Sequence, residues 1–294
     1  MTLDFFIIGA QKAATSSLQA ALSAVPDVFL PVGESPFFED PDYASKPWLS
    51  FPGKGVRQRV AGIKRPDALC RSDIINRVAS ACPDVKLIVV LREPISRAVS
   101  AYYHLARHAH VPAEGLNAGL RRSLEDFDRG VKSQSRSLIT YGQYGKYLGA
   151  WHERFPSERF LVLSQSFVRR DLAGALAACC AHLGVDNPGH GLPSTIADRN
   201  VGLYDDRFIA MYAAGHRLKT QAVPDSTRRL PANSRLRRAA GNAITRSAEL
   251  LADHGRRPAE LEPDIAQYLS DIYSADRALL DRVAPASAVD WDFS

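Results

Sequence analysis

Residues Phe5 to Leu18 read Phe-Phe-Ile-Ile-Gly-Ala-Gln-Lys-Ala-Ala-Thr-Ser-Ser-Leu, and this stretch constrains the chain more than any other. A short apolar run stops at Gly9, Lys12 follows, and Thr15, Ser16 and Ser17 lead into an Ala/Leu pattern at helical spacing. The order predicts a strand, a tight loop and a helix N-terminus. Such a junction turns backbone N–H groups and the positive end of a helix dipole toward an anion. Lys12 adds a point charge and the three hydroxyl residues add donors, so the loop suits a phosphate. It is not the usual nucleoside-triphosphatase loop of Gly, four residues, then Gly-Lys-Ser/Thr. Counted from Gly9, that pattern places its second glycine and its lysine where this chain has Ala14 and Thr15.

A second segment runs from Lys86 to His104. Leu87 to Leu91 is apolar on both faces and β-branched in its middle, as a buried parallel strand is. Arg92 follows directly, and Pro94 suits the first turn of a helix. Ile95, Val99, Tyr102 and Tyr103 fall at helical spacing, with Ser96, Arg97 and Ser100 on another side. A guanidinium at a strand's C-terminal end with a serine above it makes a second anion site.

Together the two segments resemble the nucleotide-binding motifs of sulfotransferases, enzymes that use 3′-phosphoadenosine 5′-phosphosulfate. The matching residues are Gln11-Lys12-x-x-Thr15-Ser16-Ser17-Leu18 and Leu91-Arg92-x-Pro94-x-x-Arg97-Ala98-x-Ser100-x-Tyr102. The resemblance implies that Lys12, Ala13, Ala14, Thr15, Ser16 and Ser17 hold the 5′-phosphosulfate. It implies that Arg92 and Ser100 hold the 3′-phosphate. It extends toward the carbohydrate branch that includes the heparan sulfate sulfotransferases. Gly33-Glu34-Ser35-Pro36-Phe37-Phe38 is similar to a segment whose glutamate is the catalytic base, and Ile63-Lys64-Arg65-Pro66 to one whose lysine lies against the transferring group. The implied catalytic set is therefore Glu34, Lys12 and Lys64, acting in an in-line displacement with no metal. Glu39, Asp40 and Asp42 are rival carboxylates and His104 a rival base, while Tyr141, Tyr144 and Trp151 either line the acceptor cleft or pack beneath it.

Two features depart from the family pattern. A glycine is usual where this chain has Ala14, and alanine is tolerable there only if the backbone stays right-handed. The basic Gly-rich loop that clamps the nucleotide in heparan sulfate enzymes has no clear counterpart before residue 220. Instead, residues 217–257 hold ten Lys/Arg and three Asp/Glu, against a net charge of +5 overall. Turn signals crowd the same stretch at Pro224-Asp225-Ser226, Pro231-Ala232-Asn233-Ser234 and Gly241-Asn242. The reading is a solvated face, with a mobile basic flap (Arg228, Arg229, Arg235, Arg237, Arg238) as the functional alternative.

Strand patterns at 4–9, 27–30, 61–64, 86–91 and 159–163 alternate with helical ones. That argues for a parallel sheet with crossover helices, and the resemblance implies a P-loop-like three-layer α/β fold. The chain is read as one domain over residues 1–294, with a packing helix at about 263–283. Cys70, Cys82, Cys179 and Cys180 lack metal-ligand spacing, as does the His108-x-His110 pair. Aromatics are not interleaved with the basic residues, which disfavours nucleic acid. No apolar run reaches the about eighteen residues of a membrane span. The expectation is a cytoplasmic enzyme that sulfates a hydroxyl or amine of a sugar, glycolipid or natural product, with peripheral contact to a lipid-linked acceptor left open. The alternatives are a P-loop kinase-like phosphotransferase and a non-catalytic nucleotide-binding protein of the same fold.

Overall fold

The computed structural model describes residues 3–40, 42, 58–189, 204–222, 229–253 and 255–292. In chain order its elements are β1 (Phe5–Gly9), α1 (Thr15–Ser23), β2 (Val28–Phe29), β3 (Val60–Lys64), α2 (Ser72–Ala81), β4 (Lys86–Leu91) and α3 (Pro94–Arg107). There follow α4 (Leu116–Asp128), α5 (Gln134–Thr140), α6 (Tyr144–His152), β5 (Phe160–Ser164), α7 (Gln165–Arg170) and α8 (Leu172–Leu183). The last are α9 (Asp206–Lys219), β6 (Thr220–Ala222), β7 (Arg229–Pro231), α10 (Arg235–Leu251) and α11 (Pro263–Val283). The chain divides into two compact units: residues 1–93, 143–199 and 274–294, and residues 94–142 and 200–273.

The first unit is built on a parallel sheet whose order, among the described residues, is β2-β3-β1-β4-β5. Every strand expected from the sequence is present. β1 and β4 are buried nearly throughout because neighbouring strands cover their edges and helices their faces. Phe5, Phe6, Ile7 and Ile8 are each fully enclosed, which stabilises the sheet by about 1.5–3 kcal/mol per side chain. Packing also explains a glycine in β3. Gly62 pairs with Phe5, and a Cβ there would lie 2.2 Å from the Phe5 ring. β1 has β3 on one side and β4 on the other, so the strand order reverses direction at β1. In open α/β sheets ligands bind outside the carboxyl ends of the strands at such a switch point.

Buried rings fill the rest of this unit. Trp151 stacks on Phe155, and its indole N–H donates to the Leu69 carbonyl. Tyr144 is enclosed and donates its hydroxyl to the Arg92 carbonyl at 2.9 Å. Both residues therefore pack the core. The Asp276 carboxylate accepts from the backbone N–H groups of Gly145 and Lys146 and caps the start of α6. Cys82, Cys179 and Cys180 are buried thiols, and burial pushes Cys179 up to about 12.

The second unit is helical, with a small β6–β7 hairpin. Arg97 is fully buried, and one guanidinium nitrogen donates to the Leu138 carbonyl. The Asp205 carboxylate caps α9 and pairs with Arg207; hydrogen bonds from Arg207 hold it well below the usual carboxylate range. Residues 217–257, read as loop-rich, carry the long helix α10 instead. Arg229 donates to Thr220 Oγ1 and Arg238 to the Ala232 carbonyl, so both are tied to their own unit. Arg235 and Arg237 are exposed on α10, and Arg228 lies outside the described residues.

Histidines crowd one part of this unit: the His104 and His108 rings lie 4.5 Å apart, and those of His108 and His216 lie 4.9 Å apart. Burial, with His108, Lys219, Arg229 and His110 nearby, depresses His216 to about 4. The unfolded chain then binds the proton first as pH falls, so stability is complete above about 6.5 and drains away down to 4. Urea midpoints taken from pH 7.5 to 4.5 are expected to fall steadily for the wild type. His216→Gln is expected to flatten that decline.

Candidate functional site

The carboxyl ends of β1, β3, β4 and β5 each present a polar side chain at or just past the strand, and in the first unit these converge. The loop after β1 contains two left-handed residues, Lys12 (φ 66) and Ala14 (φ 65). Left-handed positions turn successive N–H groups inward, as in anion-binding nests. The right-handed backbone that would make Ala14 tolerable is thus not what the fold adopts. An alanine there costs about 1–2 kcal/mol relative to a right-handed one. Side-chain donors hold the turn, because the Lys12 carbonyl accepts from Arg92 at 3.1 Å and from Gln165 at 3.2 Å. Ala14 is also the N-cap of α1, and its carbonyl accepts from the N–H groups of Ser17 and Leu18. The Thr15 and Ser16 N–H groups come before the first of these bonds, in the turn where a helix supplies no acceptor, and Thr15, Ser16 and Ser17 carry hydroxyls there.

At the end of β3, Lys64 is only 3% exposed. Its Nζ donates to Ser16 Oγ at 2.9 Å and lies 3.8 Å from Glu34 Oε1. Burial lowers its pKa from the ordinary lysine value, and the Glu34 charge opposes that shift. One ammonium thereby touches both the anion loop and the carboxylate.

Glu34 reaches this place through local bonds. The Gln19 amide on α1 donates to the carbonyls of Pro31 (2.6 Å) and Gly33 (2.7 Å), and the Ser35 N–H donates to the Lys64 carbonyl at 2.9 Å. Arg65 organises the acidic side: it bonds Glu34 Oε2 at 2.7 Å and Glu39 Oε1 at 2.5 Å, and lies 3.4 Å from Asp67. Burial alone would lower the Arg65 guanidinium, but Asp67, Glu39 and Glu34 together hold it above its ordinary value. Asp67 is raised by its own burial, against the pull of Arg65, and it accepts from the Gln11 amide at 3.1 Å.

Among the rival carboxylates, Glu39 is clamped by Arg65 and lies 3.5 Å from Arg71, and Asp40 accepts from the Asp42 N–H. Glu34 keeps 40% of its side chain exposed, which leaves room for an incoming group. The structure therefore joins Ser16, Lys64 and Glu34 in one set and Arg92 to the Lys12 carbonyl in another, with Ala13, Ala14, Thr15 and Ser17 in the same loop and helix start. Ser100 is buried on α3, in the second unit, as is the half-buried His104. Sequence reasoning missed Arg65, Gln165 and Gln19. Gln165 was within reach, because it follows β5 directly and the rule that functional groups sit at strand carboxyl ends applies to it equally. Gln19 carries no such signal.

A family model described as "Sulfotransferase domain" matches residues 2–196. The chain is similar to heparan sulfate glucosamine 3-O-sulfotransferase 3B1 of Mus musculus, 29% identical over 182 residues. That match takes in 61% of this chain and 45% of the mouse protein. It is also similar to heparan sulfate glucosamine 3-O-sulfotransferase 3A1 of Homo sapiens, 31% identical over 183 residues, or 61% of this chain and 43% of that one. The chain thus spans about half the length of these relatives. A solved sulfotransferase from Alicyclobacillus acidocaldarius shares the fold, with a TM-score of 0.63 at 22% identity, over 98% of this chain and 99% of that one.

Two outcomes follow from the geometry alone. Ala14→Gly relieves the left-handed strain and is expected to raise stability by about 0.5–1 kcal/mol, less than the full strain because glycine also loosens the unfolded chain. Arg65→Ala leaves three carboxylates facing one another and is expected to cost about 1–3 kcal/mol in urea unfolding. Arg65→Lys is expected to recover only part of that loss, since one ammonium cannot serve Glu34 and Glu39 in two directions.

Proposed function

The chain belongs to the sulfotransferase domain family, and from that premise we propose that it moves a sulfuryl group from 3′-phosphoadenosine 5′-phosphosulfate to a hydroxyl of a glycan or related acceptor. The observation that carries this reading is the Lys64 ammonium, bonded to Ser16 of the anion loop and 3.8 Å from Glu34. A carboxylate and a hydroxyl of the strand-to-helix loop, both within reach of one buried cation, fit a group transfer from an anionic donor to a neutral acceptor. The similarity to proteins named as glucosamine 3-O-sulfotransferases supports a sugar hydroxyl as the acceptor class.

The residues present suit such a donor. Left-handed residues at Lys12 and Ala14, followed by the start of α1, are the backbone setting in which N–H groups take an anion, and Arg92 already braces that loop through the Lys12 carbonyl. The donor supplies the sulfuryl group and a phosphate leaving group. Glu34 takes the acceptor's proton as its oxygen attacks sulfur in line. Lys12 offsets the negative charge that grows on the bridging oxygen, and the desolvated Lys64 faces the sulfuryl oxygens, where its charge is least screened. The scheme parallels phosphoryl transfer in depending on positioning and counter-charge.

Calorimetry with 3′-phosphoadenosine 5′-phosphate, ATP and AMP, without magnesium, tests the donor reading. Tight binding of the bisphosphate alone is expected; preference for ATP points to a kinase-like phosphotransferase and overturns it. Glu34→Gln is expected to lower kcat by about 10²–10⁴-fold with bisphosphate affinity unchanged. Full turnover in that variant removes Glu34 from the mechanism, and silent chemistry in the wild type over a broad panel of acceptor glycans leaves a binding protein. Lys12→Ala is expected to reduce both turnover and bisphosphate affinity.

A further inference from the structure

Helix α10 (Arg235–Leu251) has two apolar faces, and among the described residues only one is packed. Gly241, Thr245, Ala248 and Ala252 are buried. They meet α9 at close range: a Cβ on Gly241 would lie 2.5 Å from the Gly215 carbonyl oxygen. The other face follows the i, i+3, i+4, i+7 rhythm through Leu236, Ala239, Ala240, Ala243 and Leu250, with Leu251 at its border and the small Ser247 as its one polar position. These residues are exposed, Leu236 to 83%, Leu250 to 78% and Leu251 to 61%. The preceding hairpin adds Leu230, 47% exposed. Hydrophobic surface arranged as one ridge, rather than scattered singly, marks a contact surface.

The charge around the ridge says what kind of contact. At about 100° per residue, Arg235 and Arg246 flank it on one side and Arg237 on the other. Four arginines stand on α10 against a single acid, Glu249. An apolar stripe bordered by cations on both sides fits an anionic lipid surface: the leucines enter the headgroup–acyl boundary while the guanidinium groups stay at the phosphate level. A protein partner of opposite charge would need acids beside the stripe's counterpart, whereas a bilayer supplies its negative charge evenly along the helix, about 25 Å in length. We propose that the exposed face of α10 docks the protein onto anionic membrane surfaces.

Vesicle co-sedimentation with the full chain, without nucleotide or acceptor, keeps this test apart from the reaction. Wild type is expected to sediment with vesicles of equal phosphatidylglycerol and phosphatidylcholine, more weakly as salt rises, and not with pure phosphatidylcholine. The double variant Leu236→Ser/Leu250→Ser is expected to bind at least about tenfold more weakly, with circular dichroism and bisphosphate binding unchanged. The triple variant Arg235→Gln/Arg237→Gln/Arg246→Gln is expected to lose the salt-sensitive part. Absence of wild-type binding overturns the proposal. So does equal binding by the leucine variant, or a Leu236-dependent self-association in analytical ultracentrifugation that shows a second copy on the same face.

Discussion

The Lys64 ammonium, buried at the end of β3 between Ser16 and Glu34, is the interaction around which the first unit is arranged. A desolvated cation is expensive unless its partners are in place, and each partner here comes from a different stretch of chain. Ser16 arrives because β1 and β3 pair in parallel and α1 starts just past β1. Glu34 arrives because Gln19 holds the backbone of Pro31 and Gly33. The sheet thus does more than supply a core. It sets the distance between the loop after β1 and a carboxylate that are separated in sequence.

Much of this was legible beforehand, and the reasons are local. β1 and β4 announce themselves as apolar runs ending in Gly9 and Arg92, and parallel pairing then places Lys12, Lys64 and Arg92 at one edge. What was not legible is either non-local or ambiguous in local signal. Arg65 gains its meaning only when residues 34, 39 and 67 meet it, and no spacing reveals that. The left-handed Ala14 contradicts the conformation its side chain favours, because the surrounding hydrogen bonds override it. In α10, Ser234 looked like part of a loop and is a helix cap, its Oγ accepting from the Arg237 N–H. Gly241 looked like a turn and is the point where two helices touch. Serine and glycine serve both roles, so pattern alone cannot choose.

The two units carry different physics. The first concentrates opposite charges at strand ends, where burial makes them strong. The second gathers cations around His216, whose ring is pushed below the ordinary histidine value by burial first and then by the positive groups around it. Among the described residues, no helix is long and apolar enough to cross a membrane, and the apolar surface that α10 exposes lies along a helix face instead.

The carboxylate of Glu34 is gripped from two sides, by Arg65 at one oxygen and by the Lys64 charge at the other. A carboxylate restrained in this way loses its free rotation about the terminal bond, so the lone pairs not turned to Arg65 and Lys64 stay in one plane. In the proposed reaction the plane of proton removal is then set before any acceptor arrives. An acceptor with several hydroxyls must rotate to meet that plane, and the loops that bind it decide which hydroxyl gets there. Under that proposal, regiochemistry becomes a question of how the acceptor is presented, and a change in loops alone redirects the transfer while the Glu34, Lys64 and Arg65 cluster stays as it is.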